Sequence, residues 1–260
     1  AGYMLLVAPP DPANGTVFYF PGCGSERLHA DVGLATVFLL LRVGVRVVLP
    51  PKHLCCGFPA QANAKASVYS RQMLDNTIVF NQIRAMLGDL AFDGCIVSCG
   101  TCRDALGQTH VGDIFDAPLA DAVDFVLARQ TALRLQGAYL YHQPCHDSLD
   151  GRGLSLLSRI AAGGVTLTPC CCSEAGTLAL SRPDIAAAMW ARKRASLLPL
   201  TLDATRPMLI TNCPACLNGL GRQQLAPVHH TAVALADAWD ASGWRRWAAA
   251  RLAGAELIPI

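Results

Sequence analysis

Short apolar runs with high β propensity recur along the chain and end at turn residues or cysteines. In the first half, these runs predict strands over residues 16–20, 45–49 and 94–98. Segments with helical spacing of apolar positions lie between them, over residues 26–42 and 62–87. Alternating strands and helices are typical of a mostly parallel sheet with helices on its faces.

The second half repeats this alternation of strands and helices. Strands are predicted over residues 139–142, 165–168 and 208–211. Helices are predicted over residues 154–161, 185–198 and 215–225, and a further helix over 120–135 leads into this half. Residues 108–119 form the best candidate boundary, because they include Gly112 and Pro118. We therefore predict an α/β fold of two pseudo-repeated domains with mostly parallel sheets, residues 1–115 and 116–260.

The cysteines follow the same duplication. Ten of the 12 form two copies of one pattern: a lone Cys, a vicinal pair and a Cys-x-x-Cys motif. The first set is Cys23, Cys55, Cys56, Cys99 and Cys102, and the second set is Cys145, Cys171, Cys172, Cys213 and Cys216. Equivalent positions are 122, 116 and 114 residues apart, which indicates an internal duplication with short changes of loop length.

Each group of cysteines directly follows a predicted strand. Ligands of open parallel sheets collect beyond the carboxyl ends of the strands, so we expect five thiols at one edge of each half. The helices that follow direct their N-terminal N–H groups toward that edge, which lowers thiol pKa values. A single anionic cofactor in each half fits this arrangement.

The vicinal pairs and the number of thiols favour iron–sulfur clusters. Two adjacent cysteines do not readily share one tetrahedral zinc ion, whereas a cluster offers them separate iron atoms. Five thiols also exceed the four ligands of a structural zinc site. Structural zinc and a metal-free catalytic dithiol are the alternatives. On the iron–sulfur hypothesis, the ten repeated cysteines are the metal and cofactor ligands.

Two cysteines fall outside the repeat. Cys95 lies within a predicted strand, where free cysteine behaves as a small buried hydrophobe. Cys170 makes the register of the second vicinal pair ambiguous, and we choose Cys171 with Cys172, which lies 116 residues after the first pair. His53, His142 and His146 could ligate metal or relay protons, but thiols are better ligands here, so we expect them to pack or cap.

Composition and charge exclude several classes of protein. Hydrophobic residues make up 52% of the chain, which indicates a globular protein with extensive buried surface. A net charge of +2 without a long Lys/Arg run argues against nucleic-acid binding. The most apolar stretch, residues 34–49, is shorter than the ~20 residues that cross a bilayer. The chain starts without Met or a basic leader, so we expect no secretory signal and a processed chain or a fragment.

The cysteine motifs resemble those of a known family. The segments concerned are Pro21-Gly22-Cys23, Cys55-Cys56-Gly57-Phe58, Cys99-Gly100-Thr101-Cys102, His142-Gln143-Pro144-Cys145-His146, Cys171-Cys172-Ser173 and Cys213-Pro214-Ala215-Cys216. They resemble the duplicated cysteine-rich (CCG) domain family, which includes a subunit of heterodisulfide reductase and the iron–sulfur subunit of glycolate oxidase. Ser173 replaces the glycine that the family motif has after the second vicinal pair. The end of the chain and Ser173-Glu174-Ala175-Gly176 look like the C-terminal part of bacterial FAD-linked oxidases of D-lactate or related 2-hydroxy acids.

The resemblance implies an electron-transfer module with one iron–sulfur cluster in each half. It implies [4Fe-4S] clusters, with the noncubane form of heterodisulfide reductase as the alternative. Electrons would come from a partner FAD domain or subunit that oxidises a 2-hydroxy acid such as D-lactate or glycolate, because no FAD fingerprint is recognisable in this chain. The electron acceptor stays unidentified, and the expected location is the cytoplasm or the surface of the inner membrane.

Two other functions remain open at this point. The chain could be a heterodisulfide or thiol reductase with a noncubane cluster as its catalytic site. It could also be a structural zinc module used for interaction.

Overall fold

The computed structural model describes residues 2–174, 176, 178–202 and 207–260, which form two sheets flanked by helices. The strands are β1 (Tyr3–Val7), β2 (Thr16–Phe20), β3 (Arg46–Leu49), β4 (Gly94–Val97), β5 (Leu119–Asp121), β6 (Tyr139–His142), β7 (Val165–Leu167), β8 (Met208–Thr211), β9 (Val228–His230) and β10 (Glu256–Pro259). The helices are α1 (Ala30–Arg42), α2 (Phe58–Ala62), α3 (Ala66–Leu87), α4 (Gly100–Gln108), α5 (Val111–Phe115), α6 (Ala122–Arg129), α7 (Gly153–Ser158), α8 (Leu178–Ser181), α9 (Pro183–Thr201), α10 (Pro214–Gly221), α11 (Thr231–Asp240) and α12 (Trp244–Ala253). A π-helical turn, Gly24–Leu28, precedes α1.

The sheets contain mostly parallel strands, which confirms the predicted fold class. The first sheet has the order β10-β1-β3-β2-β4-β5, and β1 runs antiparallel to both of its neighbours. The second sheet has the order β7-β6-β8-β9 and is parallel throughout. None of the described helices combines the length and apolar composition needed to cross a membrane.

The two halves share one strand topology. The order β3-β2-β4-β5 in the first sheet corresponds to β7-β6-β8-β9 in the second. In both, the lone cysteine follows the central strand, the vicinal pair follows the strand on one side, and the Cys-x-x-Cys motif follows the strand on the other side. The parallel order brings all three cysteine groups to the same edge of each sheet. The boundary between residues 115 and 116 stays a prediction.

Helix α1 is buried on nearly all sides, which explains the apolar stretch of the sequence. Its residues from Ala35 to Leu41 are all buried, because the helix lies in the core with α11 and α12 packed against it. The ring of Phe38 contacts Trp247 at a centroid distance of 5.5 Å, and Trp244 is fully buried beside it. A helix that is apolar all round is expected in such a position.

A second core contains the cysteines of both halves. It includes a stack of phenylalanine rings, with Phe18 and Phe115 at a centroid distance of 4.3 Å. Six repeated cysteines from both halves also belong to it: Cys56, Cys99, Cys102, Cys172, Cys213 and Cys216. These six thiols are therefore shielded from water.

The helix predicted over residues 26–42 is interrupted. The π-helical turn ends at His29, and α1 begins at Ala30. Ser25 in this turn is buried and its hydroxyl hydrogen-bonds Ser98 at 2.9 Å, which ties the turn to the end of β4. This hydrogen bond and the close approach of Gly33 to the Ser25 carbonyl hold the chain in a separate turn before α1.

Candidate metal centre

The first set of cysteines is assembled by three short loops. Cys23 precedes the π-helical turn, and Cys99 is the N-cap residue of α4. Gly57 has a φ of 81°, a left-handed conformation that glycine adopts without strain, and it turns the chain from Cys56 into α2. Glycine is also required at position 22, because a Cβ there would lie 2.7 Å from the sulfur of Cys102.

The structure brings all five sulfur atoms of the first set together in a row. The Sγ atoms of Cys23 and Cys55 are 3.9 Å apart. Side-chain interactions then link Cys55 to Cys56, Cys56 to Cys102, and Cys102 to Cys99. Cys23 and Cys55 are half-buried, while the other three are buried.

The second set is more open than the first. Cys213 is the N-cap residue of α10, and side-chain interactions link it to Cys216 and Cys216 to Cys172. These three cysteines are buried, whereas Cys145 and Cys171 are exposed. Cys171 interacts with its neighbour Cys172, and Cys145 lies near enough to influence it electrostatically. The second row therefore begins at the surface and ends in the core.

The vicinal pairs of the two halves have matching geometry. Ser173 has a φ of 66°, the same left-handed conformation as Gly57, so it occupies the glycine position of the motif. Cys172 interacts with Cys216 as Cys56 interacts with Cys102. Both features align Cys171 and Cys172 with the first pair, the register predicted from the sequence. Ala175, in the predicted Ser-Glu-Ala-Gly segment, lies outside the described residues.

The two sets meet at the Cys-x-x-Cys motifs. The sulfur of Cys99 interacts with that of Cys213, so that one row of sulfur atoms runs through both halves. The order along this row is Cys23, Cys55, Cys56, Cys102, Cys99, Cys213, Cys216 and Cys172. The sequence predicted a site in each half, but it did not predict that the sites adjoin.

Two equivalent contacts hold the halves in this arrangement. A Cβ at Gly24 would lie 2.9 Å from the side chain of Pro214, and a Cβ at Gly100 would overlap the carbonyl oxygen of His146. Each contact joins the residue after a lone cysteine to the residue after the first cysteine of the other half's Cys-x-x-Cys motif. The contacts are therefore related by an approximate twofold axis between the halves.

Hydrogen bonds between thiols separate their pKa values. The neighbouring thiols of Cys23 and Cys56 lower the pKa of Cys55 to about 3, and the neighbouring thiol of Cys216 lowers that of Cys172 to about 4. The neighbouring thiols of Cys102 and Cys213 hold the pKa of Cys99 well below the ordinary value. Adjacent sulfur atoms at these distances cannot all carry negative charge unless cations lie among them.

The donor set fits a thiolate-bound metal group with several metal atoms. Soft thiolates select iron–sulfur clusters and zinc. Only one group of three ligand atoms in the described part of the chain lies within a mutual distance of 4.8 Å, namely His142, Cys172 and Cys216. The first set is a longer row, which several metal atoms would span better than one ion.

Cys95, His53 and His146 have partners outside this row. Cys95 is buried in β4, where burial raises the pKa of its thiol to about 12, and this confirms its predicted core position. His146 pairs with Asp104 on the other half, and the backbone N–H of His53 donates to Glu26. His142 differs, because it is buried beside Cys172 and Cys216.

Lys193 is a site residue that the sequence reasoning missed. It lies on α9 with no exposed surface, and its Nζ is 2.7 Å from the carbonyl oxygen of Pro169 and 3.3 Å from Nδ1 of His142. Burial lowers its pKa. Ala186, Lys193 and Leu197 are buried on one face of the helix, so helical periodicity was a signal that could have identified it.

Buried hydrogen bonds fix the residues that precede the two Cys-x-x-Cys motifs. In the first half, Tyr19 hydrogen-bonds Ser98 at 2.8 Å. In the second half, the equivalent Tyr141 donates to Asn212 at 2.9 Å. The networks cross between the halves, because His230 hydrogen-bonds the carbonyl oxygen of Ser98 at 3.1 Å.

Asp121 and His230 occupy equivalent positions at the strand ends. Asp121 caps α6 by accepting from the N–H of Val123, and His230 caps α11 by accepting from the N–H of Ala232. The hydroxyl of Ser148 donates to Asp121. Burial raises the pKa of Asp121 to about 7 and lowers that of His230 to about 4.

Comparison with known proteins identifies the repeated unit. Residues 17–107 and 139–221 each match the family model of the cysteine-rich domain, CCG. The chain is 27% identical to a subunit of the fumarate reductase (CoM/CoB) of Methanothermobacter marburgensis, over 76% of this chain and 40% of that protein. It is 28% identical to the glycolate oxidase iron–sulfur subunit of Escherichia coli, over 85% of this chain and 58% of that protein.

A third relative is covered more completely. Lactate utilization protein A of Exiguobacterium is 25% identical over 79% of this chain and 88% of its own length. The chain spans only 40% of the first relative and 58% of the second.

Proposed function

This chain belongs to the cysteine-rich domain family, CCG, and we propose that it is an iron–sulfur electron-transfer module that accepts electrons from a flavin enzyme. The observation that carries the proposal is the continuous row of sulfur atoms through both halves. Relatives named as an iron–sulfur subunit of glycolate oxidase and a lactate utilization protein support it.

The proposed ligands are the ten repeated cysteines. The first set would hold one cluster, and the second set would hold another with its outer ligands at the protein surface. Such clusters store and release single electrons at potentials set by hydrogen bonds, charge and solvent exposure. We expect the [4Fe-4S] type, with a noncubane cluster as the alternative.

The interaction between Cys99 and Cys213 would connect the two sets for electron transfer. Because these two sulfur atoms interact, electrons would pass between the halves at this junction. Both cysteines are buried, which keeps water away from the junction.

The proposed electron donor is an FAD-bearing domain or subunit that oxidises a 2-hydroxy acid, such as D-lactate or glycolate. The relatives named for glycolate and lactate support this class of substrate. The chain itself carries no recognisable FAD fingerprint. We propose a location in the cytoplasm or at the surface of the inner membrane.

An anaerobic reduction experiment tests this function. Thiolate-bound clusters absorb broadly near about 400 nm, and this absorbance decreases on reduction. We expect no change with D-lactate or glycolate alone, and bleaching when the FAD-bearing partner is added with substrate. Photoreduced free FAD serves as a second donor. A chain that dithionite bleaches, but that neither flavin donor reduces, would contradict the proposal.

A thiol or disulfide reductase is the second candidate, favoured by the exposure of Cys145 and Cys171. These residues open the second set to a small substrate in solvent. The test adds hydroxyethyl disulfide and reduced methyl viologen to the chain alone. Two viologen molecules supply one electron each, and two protons come from water, for each disulfide cleaved to two thiols. Sustained viologen oxidation would favour the reductase over the electron-transfer module.

A further inference from the structure

Lys193 is a buried cation without an acidic partner among the described residues. Its ammonium group donates to the carbonyl oxygens of Pro169 and Cys170, at 2.7 and 3.1 Å, and to the hydroxyl of Thr168 at 3.2 Å. None of the ion pairs formed by the described part of the chain includes it. A buried charge of this kind is costly unless an opposite charge lies near it.

The second cysteine set lies next to Lys193, because His142 contacts the ammonium group and its ligand atom is within 4.8 Å of the sulfur atoms of Cys172 and Cys216. The thiols whose charges favour the protonated state of Lys193 are Cys170, which lies outside this set, and three members of the set, Cys172, Cys171 and Cys216. Two of these thiols, Cys172 and Cys216, are themselves buried. Charges interact strongly across such a site, because little water screens them.

The ammonium group also orients His142. Nδ1 of His142 lies 3.3 Å from the Lys193 ammonium and 3.1 Å from the hydroxyl of Thr168, so these two groups fix the position of the ring. The ring in turn interacts with the sulfur of Cys172, and the ligand atoms of His142, Cys172 and Cys216 lie within 4.8 Å of one another. Hydrogen bonds to sulfur stabilise the more negative state of a cluster.

The first half lacks both groups at the corresponding places. Tyr19 and Tyr141 are equivalent buried residues, so Phe20 occupies the position of His142 at the end of its strand. In helix α3, which corresponds to α9, the buried Asn76 donates to the carbonyl oxygen of Cys55 at 2.8 Å. A neutral amide thus contacts the vicinal loop of the first half, and an ammonium group contacts that of the second half.

We propose that Lys193 is the counter-charge of the second cysteine set and gives this set a higher reduction potential than the first. The proposal rests on the proposed function, because it requires both sets to hold redox centres. An added electron makes a centre more negative, and a fixed cation stabilises that state more than the oxidised state. Reducing equivalents would therefore collect in the second half.

Potentiometric titration of the anaerobically purified holoprotein, followed by electron paramagnetic resonance, tests the proposal. We expect two reduction steps. Cys172→Ser should abolish the step at higher potential, and Cys56→Ser should abolish the other, which assigns each step to one half. Lys193→Met should lower the higher midpoint toward the lower one, while Lys193→Arg should leave it close to the original value.

Asn76 provides the matched control in the first half. Asn76→Leu removes its hydrogen bond without a change of charge and should leave the higher midpoint unchanged. Asn76→Lys should raise the lower midpoint. If Lys193→Met does not retain iron, this variant still tests whether a buried ammonium group raises the potential of the neighbouring set.

Two results would overturn this proposal and leave the proposed function intact. These are a fully iron-loaded Lys193→Met protein with unchanged midpoints, and an Asn76→Lys protein whose lower midpoint does not rise. Purified protein without iron and sulfide would instead overturn the proposed function, and this proposal with it.

Discussion

Cys56 and Cys95 are both buried, but they have different neighbours. Cys56 interacts with the sulfur atoms of Cys55 and Cys102, whereas the thiol of Cys95 donates to the carbonyl oxygen of Val111 at 3.7 Å. A buried cysteine can therefore serve either the metal site or the packing of the core. The surrounding sulfur atoms, and not the degree of burial, distinguish the two roles.

Serine substitutions should separate these roles. Cys56→Ser should lower the iron content, because it removes a proposed ligand of the first set. Cys95→Ser should leave the iron content unchanged and reduce the free energy of unfolding by roughly 1 to 3 kcal/mol, the cost of a poorly partnered buried hydroxyl. Iron analysis and urea unfolding of both proteins measure these effects. Loss of iron from Cys95→Ser would contradict the assignment of Cys95 to the core.

Asp121 should make stability depend on pH. Its pKa rises from 3.8 to about 7 on folding, because burial disfavours the carboxylate. The folded state therefore holds the proton more tightly, so this contribution is full below about pH 4 and is lost as the pH rises through about 7. One pKa unit corresponds to about 1.4 kcal/mol, so a loss of a few kcal/mol is expected.

Asp121→Asn should remove this dependence, because asparagine does not titrate and can still cap α6. His230 contributes with the opposite sign: its pKa falls from 6.5 to about 4, so its contribution is lost as the pH falls through that range. The difference between original and variant proteins isolates Asp121. Parallel stability curves in urea from pH 4 to 8 would show that Asp121 does not titrate as proposed.

At the scale of elements, helix α4 offers two glycines in different surroundings. Gly100 begins the helix where it packs against the loop of His146, and a Cβ there would overlap the His146 carbonyl oxygen. Gly107 lies in the same helix, is exposed, and has no atom within 4 Å of a Cβ built on it. Gly100 is therefore required by the close contact with the His146 loop, whereas Gly107 is not required by any contact.

Alanine substitutions should have opposite effects at these positions. Gly100→Ala should destabilise the protein by about 1 to 3 kcal/mol or more, because the halves must separate to admit the methyl group. Gly107→Ala should stabilise it by roughly 0.5 to 1 kcal/mol, since alanine favours the helix. Thermal unfolding and iron content provide the comparison. Equal stability of the two variants would argue against the close contact between the halves.

The elements that carry the cysteines could be predicted, because each combines a β-prone apolar run with a turn. Strands β2, β6 and β8 were predicted with their observed bounds. Strand β1 and the edge strand β10 beside it were not predicted, since β10 is mostly exposed and its pairing partner lies at the other end of the chain. The helix predicted over residues 120–135 ends at Arg129, because Leu135 instead forms an isolated bridge with Ala161.

For the molecule as a whole, the sequence predicted the gathering of thiols in each half but not the contact between the halves. The duplication and the parallel strand order determine where each set lies. The interface depends instead on pairs that are far apart in sequence, such as Gly24 with Pro214. Lys193 was missed for a similar reason, because its importance comes from neighbours that only the folded chain brings to it.

Metal and sulfide analysis of the anaerobically purified protein tests the central claim most directly. Two clusters held by ten cysteines should give several iron atoms and a similar amount of acid-labile sulfide per chain, with little zinc. Cys56→Ser and Cys172→Ser should each lose about half of this iron. Stoichiometric zinc without sulfide would contradict the account and favour a structural zinc module.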